Sequence, residues 1–129
     1  MGQYFKIVNE DKKEVVNAWD LGGAAKFWEW LYNPQASVLV WLLRKSDGDG
    51  GGDIPTDERE RYQTLGRWAG DRIILIGDYD SSGLWDAAET RGADGKHKPH
   101  TAYTDISALV RKEFNAAIRR DRGGSNDQL

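Results

Sequence analysis

Apolar residues recur along this chain with two periods, one suited to strands and one to helices. Residues 3–9, QYFKIVN, mix aromatic and β-branched side chains with partial alternation. Glu14-Val15-Val16 repeats that character after the polar stretch NEDKK, which predicts an N-terminal β-hairpin. Asp20, ahead of Leu21-Gly22-Gly23, is a candidate N-cap. Ala24, Phe27, Trp28 and Leu31 then follow at helical spacing and predict a helix near 24–33. Asn33-Pro34 ends it, because the residue before proline is pushed out of the αR region. Val38 to Leu43 is continuously apolar, and its periodicity fits a buried strand or a helix. Pro34 at a first turn and Arg44-Lys45 near the end favour a helix near 36–45.

Ser46 to Asp53, SDGDGGGD, interrupts regular structure, and Pro55-Thr56-Asp57-Glu58 opens a charged helix near 56–65. Residues 66–71 read as a short strand and turn that lead into Arg72 to Ile76. That run is the most apolar β-like segment and is expected at the centre of an antiparallel sheet, apolar on both faces. Residues 90–103 read as a long irregular surface loop. Thr104 or Asp105 then caps a helix near 105–120, whose stripe is Ile106, Leu109, Val110, Phe114, Ala117 and Ile118. The predicted fold is a single α+β domain over 1–122, an antiparallel sheet with the N-terminal hairpin packed against about four helices, followed by a flexible tail at 123–129.

Composition narrows the function classes. A chain of 129 residues has the length of one domain and can bury a core without staples. The absence of cysteine excludes disulfides, thiolate metal sites and a cysteine nucleophile. No segment is apolar enough to span a bilayer, and a soluble cytoplasmic protein is the simplest expectation. A net charge of −3 does not favour nucleic acid, and Arg119, Arg120 and Arg122 suit the end of a helix. Six tryptophans predict a Trp-rich core with one or two left over for a binding surface, for which Trp85 and Trp68 are the candidates.

The sharpest chemical signal is in Asp78 to Glu89, which reads D-x-D-x-S-G-x-x-D-x-x-E. Asp47 to Glu58 follows the same register with fewer oxygen-bearing side chains. Both loops resemble EF-hand calcium loops, in which alternate oxygens point inward and a glycine makes the sharp turn. The resemblance implies Asp78, Asp80, Ser82, the Leu84 carbonyl, Asp86 and Glu89 as ligands of calcium or magnesium. In the poorer loop it implies Asp47, Asp49, Asp53 and Glu58. An EF-hand enters its loop from a helix, whereas Arg72 to Ile76 reads as a strand. Asp and Gly are also the ordinary residues of turns.

His97 and His100 lie among lysines without a third ligand nearby, as expected of a solvated loop. The functional expectation is a small non-enzymatic binding or regulatory domain of unknown partner, with a calcium ion ordering the loop after Ile76. One alternative is a divalent-metal-dependent hydrolase or phosphoesterase using Asp78, Asp80 and Glu89. The other is a protein-interaction module without metal.

Overall fold

A computed structural model describes residues 2–48, 50–98 and 101–122, and Asp49, His100 and the tail expected to be flexible lie outside them. Strand β1 (Phe5–Asn9) pairs antiparallel with β2 (Glu14–Asn17), with Lys6 opposite Asn17 and Asn9 opposite Glu14. The connecting turn is held by Asn9, whose Oδ1 accepts the Lys12 N–H at 2.8 Å. A 3-10 turn, Trp19–Leu21, ends at Gly22 in the left-handed region.

Helix α1 (Phe27–Tyr32) begins later than its apolar spacing predicts. Buried Gln35 explains the delay. It reaches back to pair with both backbone groups of Ala24, accepting its N–H at 2.9 Å and donating to its carbonyl at 2.7 Å. The helix opens instead at Lys26, whose N–H is accepted by Glu29 Oε1 at 3.0 Å. After a second 3-10 turn, Pro34–Ala36, the ambiguous apolar run forms helix α2 (Ser37–Leu43).

Helix α3 (Thr56–Arg59) is a single turn where the charged pattern predicts a longer helix to 65. The N–H groups of Gln63 and Thr64 go instead to the carboxylate of Glu113. Nor do residues 66–70 form a strand. Gly66 and Trp68 donate to the carbonyls of Trp41 and Leu42, each at 2.9 Å, so this segment closes the end of α2. Gly66 is needed there: its φ is +69°, and a Cβ would stand 2.5 Å from the Arg44 carbonyl oxygen.

Strand β3 (Ile73–Gly77) follows, then the single-turn helix α4 (Leu84–Ala87), the short strand β4 (Thr104–Asp105) and helix α5 (Ser107–Asp121). The N-cap of α5 is Ile106, which makes no side-chain cap bond, rather than Thr104 or Asp105; Asp105, one residue earlier at the end of β4, accepts the Ser107 N–H on its Oδ1 at 2.9 Å. The sheet order is β3-β1-β2-β4, and the fold is α+β. Two details of the expected sheet are corrected. Strand β3 lies at an edge rather than the centre, pairing antiparallel with β1 alone, and β4 runs parallel to β2, which makes the sheet mixed.

Strand alternation divides the core in two. Ile7 and Val16 face α1, α2 and α5, where they pack with Trp30, Trp41, Leu42, Trp68, Val110 and Phe114. Val8, Val15 and Ile76 face the other way and meet Ala88 and Tyr103 in a smaller layer. Among the described residues, no helix is long and apolar enough to cross a membrane.

Candidate binding surfaces

The acidic side chains of 78–89 address their own neighbourhood. Asp78 Oδ1 accepts the Tyr4 N–H at 2.9 Å, and Asp80 Oδ2 accepts the Ser82 N–H at 3.0 Å. The donors of Ser82 hold the Asp80 carboxyl below the usual carboxylate range. Ser82 Oγ accepts from Leu84 N, and the Leu84 carbonyl accepts from Ala88 N within the turn of α4. Glu89 Oε1 accepts the N–H groups of Thr90 and Arg91, both at 3.1 Å, while Asp86 is exposed on α4. These carboxylates form no three-ligand group among the described residues.

In the 47–58 loop the acids meet arginines. Asp53 accepts from Arg44 Nε at 2.9 Å and lies 3.3 Å from Arg59 Nη2, and the Arg44 guanidinium holds its carboxyl down to about 2. Glu58 pairs with Arg120 at 2.9 Å, and Asp47 is exposed.

The fold brings together a different polar group. Ligand atoms of Asp20, His97 and Asp105 lie within 4.8 Å of one another. Asn17 Nδ2 donates to Asp20 Oδ2 at 2.9 Å and to Asp105 Oδ2 at 2.5 Å, Arg91 pairs with Asp20 Oδ1, and His97 Nε2 stands 3.8 Å from Asp20 Oδ2. Two carboxylates and an imidazole are donor types that a transition metal accepts. Here Asn17, Arg91 and the Ser107 N–H already occupy the carboxylates, and the cluster ties β2, β4 and the 91–97 segment together. No local spacing announces it, since its members are joined only by the fold.

An exposed apolar surface lies on the side of the sheet that faces α1. Helix α1 turns Trp28 outward at 64% exposure and Tyr32 at 79%, stacked with their rings 6.0 Å apart, and Phe27 and Leu31 are exposed beside them. Phe27 and Leu31 border a cavity of about 350 Å³, also lined by Ile7, Leu39, Leu43 and Leu75 among others. Its floor includes edge strand β3, where Ile74 and Leu75 are exposed. The bonds Asp78 N to Tyr4 O and Glu10 N to Arg72 O fix which residues of β3 face β1. By alternation, Ile73 and Leu75 turn their N–H and C=O groups away from the sheet.

Of the two tryptophans singled out by sequence, Trp85 is half-buried with Lys6 Nζ 4.1 Å from its ring centroid. Trp68 is corrected: it is fully buried, with its Nε1 donating to Glu14 Oε1 at 2.8 Å, and presents no surface. Trp28, the tryptophan that is most exposed, was hidden in the sequence by its place in a helical stripe that reads as core. Comparison with known protein families, curated proteins and solved structures gives no match to this chain.

Proposed function

We propose that this protein is a protein-binding module whose partner presents an extended segment that adds to β3 as a fifth strand. The observation that carries the reading is an apolar edge strand lying beside an apolar groove and an exposed aromatic helix. Proteins normally blunt sheet edges with charge, proline or a bulge, and IILIG has none of these. An added strand meets the outward backbone groups of Ile73 and Leu75, and its residues opposite them place their side chains on the groove side. Trp28, whose ring packs edge-on against Phe27 of the groove wall, and Tyr32 stacked on it then act as aromatic anchors beside the groove.

The test is a selection of displayed peptides on the wild-type protein with counter-selection on Leu75→Lys. Recovered peptides are expected to alternate apolar residues, to bind the wild type at about micromolar Kd, to slow hydrogen exchange at Ile73 and Leu75, and to lose at least about tenfold in affinity on Leu75→Lys or Trp28→Ala. Peptides that bind Leu75→Lys as well as wild type defeat the proposal. Concentration-dependent self-association abolished by Leu75→Lys assigns the groove to a second copy of the chain instead.

On this reading the acidic loops act as turns. Millimolar calcium or magnesium is then expected to leave Trp85 fluorescence and the melting temperature unchanged. A calcium-dependent rise in melting temperature that Asp78→Ala removes and Asp47→Ala spares restores a cation site at 78–89.

A further inference from the structure

We draw no further inference here: the strongest candidate, the Asp20, His97 and Asp105 cluster where β2 and β4 meet the 91–97 segment, already has its carboxylates bonded to Asn17, Arg91 and the Ser107 N–H, and nothing else among the described residues points to a ligand there.

Discussion

Trp68→Ala is expected to lower the free energy of unfolding by about 4 kcal/mol, and the melting temperature by roughly 10 °C or more for a chain of this size. Trp68 is fully buried in the larger core, so truncation opens a cavity against Trp41, Leu42 and their neighbours. It also removes the indole N–H from Glu14, a carboxylate that is itself buried and depends on two donors. The other donor is Arg67, which holds Glu14 bidentately through Nε at 2.9 Å and Nη2 at 2.6 Å. Trp68→Phe separates the two losses, since most of the ring volume returns while the N–H does not. A deficit of about 1–3 kcal/mol should remain from the donor. Trp28→Ala provides the contrast. The same residue type at an exposed site should change stability by less than about 0.5 kcal/mol while weakening strand binding. Urea unfolding of the three variants measures all of this, and a Trp68→Ala protein within about 1 kcal/mol of wild type shows that the core closes over the cavity.

That contrast marks where sequence reasoning stops. The hairpin and α5 follow from local period and α2 from its end signals, because the apolar stripe Ile106, Val110 and Phe114, and Pro34 ahead of α2, are encoded within a few residues of the elements they mark. The start of α1 is not so encoded. It depends on Gln35 taking up the backbone of Ala24 across 11 positions. The length of α3 likewise depends on Glu113, about 50 residues downstream. For β3 the misplacement has a physical lesson. A continuous apolar run signals that both faces need cover, and it is equally consistent with a central strand or with an edge that a partner completes.

The polar sites show the same divide. Spacing alone draws attention to Asp78, Asp80 and Glu89, but spacing cannot state which way an oxygen points, and these carboxylates turn to nearby amides. Asp20 is more than 70 positions from His97 and Asp105 in sequence, and the three meet only because the fold sets β2 beside β4. A lysine inside the strand pattern QYFKIVN does stand out in the sequence, at a position whose neighbours alternate toward the core. A charge at such a position signals either an edge or a buried function.

Glu113→Ala is expected to cost about 3–4 kcal/mol, because a buried carboxylate with three bonded donors is replaced by none. Glu113 Oε2 accepts the Gln63 N–H at 2.9 Å, and Oε1 accepts both the Thr64 N–H at 2.8 Å and the Thr64 hydroxyl at 2.6 Å. Thr64 Oγ1 in turn accepts from Trp41 Nε1 at 2.9 Å, and Trp41 packs edge-on against Phe114 one residue along α5. The carboxylate thus joins α5 to α2 through the segment between them. Glu113→Gln keeps the shape but has a single acceptor oxygen, so one of the two backbone amides loses its partner, and a cost of about 1–3 kcal/mol should result. Thr64→Val removes the hydroxyl that relays the network to Trp41. If the network acts as a unit, the double variant Glu113→Ala with Thr64→Val should be less destabilised than the sum of the two single changes, with a coupling of about 0.5–3 kcal/mol. Additive losses would mean that Glu113 serves only the two amides, and that Trp41 is held by packing against Phe114 and Tyr62 rather than by its hydrogen bond.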